Sequence, residues 1–147
     1  MKQSKIILFM LLLSVGILSA CNQNAAEVIE KGKVIINEDT QQITFFAEMT
    51  DENLEPKTTF QARFFLQGET MRNAVGTDLV FTDKEFKVKD AKEGTVEVKK
   101  TMTLQEGSDL EKIIKEIKNK DEEVVTLEVI NNDGLLDDLV VHKVEKE

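Results

Sequence analysis

The chain has no tryptophan and no tyrosine, and only one cysteine, one proline and one histidine among 147 residues. Each shortage removes a class of reading. Sugar platforms stack on Trp or Tyr and interface hot spots are enriched in the same residues, so a chain whose aromatics are Phe alone argues against both. A lone Cys21 and a lone His142 cannot assemble a zinc site from Cys and His ligands. Beyond residue 20 the only serine is Ser108. Ser108 with His142 is the one nucleophile–base pair the inventory permits, and no G-x-S-x-G elbow or other local context supports it. The expectation is a protein that is not an enzyme and uses no cofactor.

Positive charge is also scarce: 19 Lys and Arg face 28 Asp and Glu, for a net charge of −9. Residues 1–20 carry two lysines and no acid, which leaves −11 on the remainder. That balance lacks the broad basic footprint that nucleic acid or an anionic leaflet requires, so no nucleic-acid partner is expected.

Long apolar runs are confined to Ile6–Leu18, thirteen residues interrupted only by Ser14 and Gly16. A spanning helix needs roughly 20 apolar residues, so this run is sized for a cleaved h-region behind the positive Lys2 and Lys5. It ends in Leu18-Ser19-Ala20-Cys21, which resembles the lipobox of bacterial lipoproteins. The resemblance covers the first 21 residues. It implies a diacylglyceryl group on the Cys21 thiol, cleavage between Ala20 and Cys21, and a further acyl chain, such as palmitate, on the freed amine. Two or more chains make such an anchor stable, at about 0.8 kcal/mol per buried methylene. The implied location is the outer face of the cell membrane. Asn22 is not the Asp that tends to retain lipoproteins at the inner membrane of double-membraned bacteria, so an outer-membrane home stays open.

Residues 21–32 then read as a lipidated N-terminus and flexible tether, and residues 33–147 as a single β-rich domain. With Cys21 acylated no disulfide is available, and an apolar core must hold the fold. Two-residue alternation is clearest in Gln42–Thr50 and Thr59–Gln67, separated by a loop holding Pro56. If these strands pair antiparallel, Phe45 meets Phe64 and Ala47 meets Ala62. Gly68–Thr77 reads as loop, Asp78–Lys89 as one or two short strands, and Thr95–Leu104 as a strand whose apolar face Lys100 interrupts with a bulge or a strand end. Ser108 and Glu111 form a capping box ahead of the apolar stripe Leu110, Ile113, Ile114 and Ile117, which predicts one helix. Val124–Ile130, the turn Asn131-Asn132-Asp133-Gly134 and a return strand Leu139–Val144 predict a closing hairpin. Short strands without βαβ alternation point to an antiparallel two-sheet, immunoglobulin-like sandwich with one short helix; the alternative is α+β, a single sheet with one packed helix.

Three groups remain as site candidates. Phe46 and Phe65 point away from the main apolar face and would be diagonal neighbours in the assumed register, either covered by the helix stripe or forming an exposed partner patch. Asn131, Asn132, Asp133, Asp137 and Asp138 could gather oxygens around calcium, but Gly134 does not match an EF-hand spacing and the same residues suit a turn. His142 reads as a buried or boundary histidine with one hydrogen-bond partner. The functional expectation is a membrane-anchored, non-catalytic binding or accessory module engaging an envelope protein or ligand. The alternatives are a small-molecule or cation-binding lipoprotein, and an enzyme using carboxylates alone, which would need a deep cavity with two close acids.

Overall fold

The computed structural model describes residues 26–147, so the lipobox, Cys21 and the first part of the expected tether lie outside the described residues. The strands are β1 (Ile29–Asn37), β2 (Gln42–Thr50), β3 (Thr59–Leu66), β4 (Leu79–Lys87), β5 (Thr95–Thr103), β6 (Val125–Asn131), β7 (Gly134–Val140) and β8 (Val144–Lys146), with helices α1 (Glu69–Val75) and α2 (Leu110–Lys118). They form two four-stranded sheets, ordered β5-β2-β1-β8 and β4-β3-β6-β7. The fold is a mostly β, two-sheet sandwich rather than a single sheet. Its order is the immunoglobulin-like arrangement in which the fourth strand joins the third, sixth and seventh.

Strand alternation builds the core. In β2, Ile43, Phe45, Ala47 and Met49 are fully buried, and in β3, Phe60, Ala62, Phe64 and Leu66 are equally enclosed. These two strands do not pair, contrary to the expected register: β2 bonds to β1 and β5, and β3 to β4 and β6. Both apolar faces do meet, but across the sandwich, where the Phe45 and Phe64 ring centroids stand 5.2 Å apart. A seven-residue link such as Asp51–Lys57 can carry a chain from one sheet to the other as readily as close a hairpin, and alternation does not distinguish the two outcomes.

Several boundaries differ from expectation for local reasons. β1 begins at Ile29, not Lys33, because the Val28 and Ile29 amides both donate to Asp137 Oδ2 at 2.8 Å and Val28 is wholly buried. The charged Glu30 and Lys31, set at an irregularity in the β1–β2 ladder, mask this strand start. Gly68–Thr77 is not all loop: Met71, Ala74 and Val75 form the buried side of α1, and Gly76 closes it in the left-handed region. The sandwich therefore has two helices.

α2 is capped by Asp109, whose Oδ1 accepts from the Lys112 amide, while the Ser108 hydroxyl donates to the Gln105 carbonyl. The N-cap is therefore Asp109 rather than Ser108, and the expected Ser108–Glu111 capping box does not form, because Lys112 stands where the reciprocal acceptor would be needed. β4 is one strand with an irregularity opposite Gln61–Arg63, where the Thr82 hydroxyl donates to the Ala62 carbonyl. β5 pairs with β2 without interruption, so Lys100 is no bulge. Its side chain runs out between the sheets to Asp83 at 2.7 Å.

The return strand splits in two. Gly134–Val140 closes the hairpin with β6, and Val144–Lys146 crosses to the other sheet and adds to β1 in parallel, so the sheets are not purely antiparallel. The chain enters at one end of the sandwich, together with the β2–β3, β4–β5 and β6–β7 connections. Both helices sit at the opposite end, where Ile113 and Ile117 seal the core.

Candidate functional site

The outer faces of the two sheets decide where a ligand could sit. On the first sheet the pairing puts Lys33, Phe46 and Lys99 in one row across β1, β2 and β5. Both lysines lie over the same ring, with Nζ 5.0 Å and 5.5 Å from its centroid. Each such contact is worth about 0.5–1 kcal/mol at an exposed site. The methylene stems also leave Phe46 only 7% exposed. The neighbouring row is Lys31, Glu48 and Glu97. Lys31 reaches Glu48 at 2.6 Å, which offsets the repulsion of two carboxylates on directly paired residues. Hydrogen bonding and charge attraction from Glu48, with smaller help from Glu30 and Glu97, hold the Lys31 ammonium above the usual lysine range.

Beside this face the chain crosses from β7 to β8. The crossing is fixed by backbone bonds from Val141 to Val125 and from Val34 to Lys143, at 2.8 and 2.9 Å. It lies tight against β1 because residue 32 is glycine: a Cβ there would fall 2.9 Å from Val141 Cγ2 and 3.3 Å from Leu127 Cδ2. Between the crossing and the lysine rows opens a cleft of about 700 Å³, walled by Leu139, Val140, His142 and Lys143. Glu145 joins its two sides, 2.6 Å from Lys33 and 3.0 Å from Lys143. Those two ammonium groups, chiefly through hydrogen bonds, hold the Glu145 carboxyl below the usual carboxylate range.

His142 is a half-buried boundary residue whose Nδ1 lies 2.9 Å from the Ile117 carbonyl. A carbonyl only accepts, so Nδ1 carries the hydrogen in this bond. Ser108 lies apart from it, in a separate depression between α1 and the start of α2. The structure does not bring the two together as a nucleophile and its base.

Phe65 is not a neighbour of Phe46. It lies on the outer face of the other sheet, 37% exposed, close to Phe81 at 46%. Its row runs Leu79, Phe65, Thr126 and Val140. The helix stripe covers neither phenylalanine, since it closes the end of the core, so the expected single Phe46–Phe65 patch is two separate surfaces. In the β6–β7 turn, Asn131 Oδ1 accepts from the Asp133 and Gly134 amides. Asp137 caps the start of β1 with one oxygen and takes the Asp138 amide with the other. The turn accounts for Asn131, and the start of β1 accounts for Asp137. Among the described residues, no group of three or more His, Cys, Asp or Glu is placed to hold a metal, and no helix is long and apolar enough to cross a membrane.

Sequence reasoning found Phe46 but missed Lys33, Lys99 and Lys143. Alternation predicts that Lys33 and Lys99 point outward; it does not predict that β1 and β5 flank β2. No protein-family model matches the chain, and no curated protein does. Among solved structures it is similar to the ligand binding region of Serine-glutamate repeat protein A (SgrA) of Enterococcus faecium, at 16% identity and a TM-score of 0.38, covering 81% of this chain and 93% of that one. It is also similar to Pseudomonas fluorescens alkylpurine DNA glycosylase AlkC bound to DNA containing an abasic site analog, at 13% identity and a TM-score of 0.34, covering 82% of this chain and 31% of that one. Neither likeness is close enough to bear on what this chain binds.

Proposed function

We propose that this protein is a lipid-anchored lipoprotein of the outer face of the cell membrane, whose domain is a non-catalytic binding module with the Phe46 cleft as its ligand site. The observation that carries the binding role is the cleft itself, an open depression of about 700 Å³ with the lysine-covered Phe46 row as its floor and Leu139, Val140, His142 and Lys143 along its wall. The lipobox residues Leu18 to Cys21 support the anchor. Among the described residues the domain is engaged from its first positions: Ala26 packs against the core, the Glu27 carbonyl accepts from Asn53 Nδ2 at 2.8 Å, and Val28 is wholly buried, so an anchor at Cys21 lies close in sequence to the folded body. The entry end of the sandwich then faces the bilayer and the cleft opens sideways from it.

A carboxylate-only enzyme is the reading to weigh against this, since Glu48 and Glu97 pair across β2 and β5 in the same cleft. The cleft is an open surface and Glu48 is bound to Lys31. Such chemistry needs one carboxyl kept protonated by an apolar enclosure, which this surface does not offer.

Two variants test the proposal. Cys21→Ala is expected to leave the envelope fraction after a salt wash, and its retention there would refute the anchor. Crosslinking in the native envelope is expected to yield an adduct with the wild-type protein that Lys99→Glu lacks. The same adduct from both would remove the cleft as the binding site.

A further inference from the structure

We propose that the cleft takes a phosphate-bearing ligand, held between Lys33 and Lys99 of the lysine row and Lys143 of the crossing. This rests on the cleft being the binding site. Stem packing over Phe46 explains where the lysine methylenes lie, but it does not explain the charge balance. Two ammonium groups lie within 5.5 Å of one ring centre, so two like charges face the same opening. Glu145 is shared by Lys33 and Lys143, and Lys99 has no carboxylate partner among the described residues. Glu48 is engaged by Lys31 in the row nearer the entry end, with Glu97 beside it. This leaves a surplus of positive charge at one end of the cleft in a strongly acidic protein. The distant acids are largely screened at physiological salt, so the local balance governs what binds.

The donor type narrows the ligand. Both arginines of the chain, Arg63 and Arg72, lie elsewhere, and no guanidinium fork lines the cleft. Lysine binds phosphate as a point charge without needing a guanidinium fork, and three ammonium groups around one opening suit the multiple negative charge of a phosphate better than the single charge of a carboxylate. The Phe46 ring is covered by its lysines, which argues against a ligand that stacks. The group recognised is therefore the phosphate itself, whether it belongs to a soluble phosphodiester chain or to a lipid headgroup.

The mature lipidated protein, held in micelles of a maltoside detergent that carries no phosphate, would be titrated calorimetrically with inorganic tripolyphosphate at low salt. Wild type is expected to bind, with affinity falling about tenfold in Lys99→Ala and in Lys143→Ala, as for loss of a charged hydrogen-bond donor. Lys112→Ala, on the exposed side of α2, is expected to match wild type. Repeating the titration in vesicles containing phosphatidylglycerol separates the sources. A Lys99-dependent loss of tripolyphosphate affinity identifies the headgroup, and an unchanged affinity identifies a soluble ligand. Absence of heat, or equal affinity in all variants, overturns the proposal. If tripolyphosphate fails while Lys99→Glu still loses its envelope adduct, the cleft remains a binding site and the phosphate assignment falls.

Discussion

Two Phe-Phe dipeptides, Phe45-Phe46 in β2 and Phe64-Phe65 in β3, have the same local pattern and different fates. In each, alternation sends the first ring into the sandwich and the second out. The inner rings meet 5.2 Å apart and tie the sheets together. The outer rings differ: Phe46 is nearly covered, and Phe65 stands more than a third exposed. The cause lies in their strand partners. Phe46 sits between two lysines with long stems, whereas Phe65 sits between Leu79 and Thr126, which are too short to cover a ring. A residue's alternation parity fixes its direction, and its neighbours across the sheet fix its exposure.

Substitutions can break this comparison at several strengths. Phe64→Ala removes half of the inter-sheet ring pair and is expected to cost about 3–5 kcal/mol in urea unfolding. A cost near that of a surface change would mean that the sheets are not held there. Gly32→Ala forces a Cβ against Val141 and Leu127, and is expected to lose about 1–3 kcal/mol through overpacking. The same variant should weaken ligand capture, because the displaced crossing forms the cleft wall. Phe46→Ala is expected to cost about 1–2 kcal/mol, as burial under lysine stems implies. Phe65→Ala should stay within about 0.5 kcal/mol of wild type. Equal thermal shifts for these last two would show that the lysine cover contributes nothing.

The inner halves of both dipeptides were legible in the sequence, because alternation over eight or nine residues marks a strand face whatever the strand pairs with. The strong turn at Asn131–Gly134 and the helical stripe ending at Ile117 were legible for the same reason, since each is encoded within a few residues. Sheet membership was not. The return strand read as one element because Leu139 to Val144 is continuously compatible with extended backbone, and the room that Gly32 leaves for Val141 at the crossing is not encoded near it in the sequence. The cleft was illegible in the same way: Lys33, Lys99 and Lys143 are far apart in sequence, and each alone resembles an ordinary solvated lysine. Asp137 looked like a turn or calcium residue, yet its carboxylate holds the start of β1, more than a hundred positions away.

The smallest expected effect concerns the ion pairs that distinguish the cleft face. Lys33 and Lys143 hold Glu145 below the ordinary carboxylate range. A depressed carboxyl contributes stability that is present above its unfolded-state pKa and disappears as pH falls through the folded value. Glu145→Gln should therefore be slightly less stable than wild type at neutral pH, and the difference should close in strongly acid solution. Because the group is exposed, high salt at neutral pH should shrink the same difference. Urea unfolding of both proteins across pH and ionic strength measures this. A gap that persisted in acid would mean that Glu145 acts by packing rather than charge, and Lys33 would then be more available to an incoming anion than the ion pair implies.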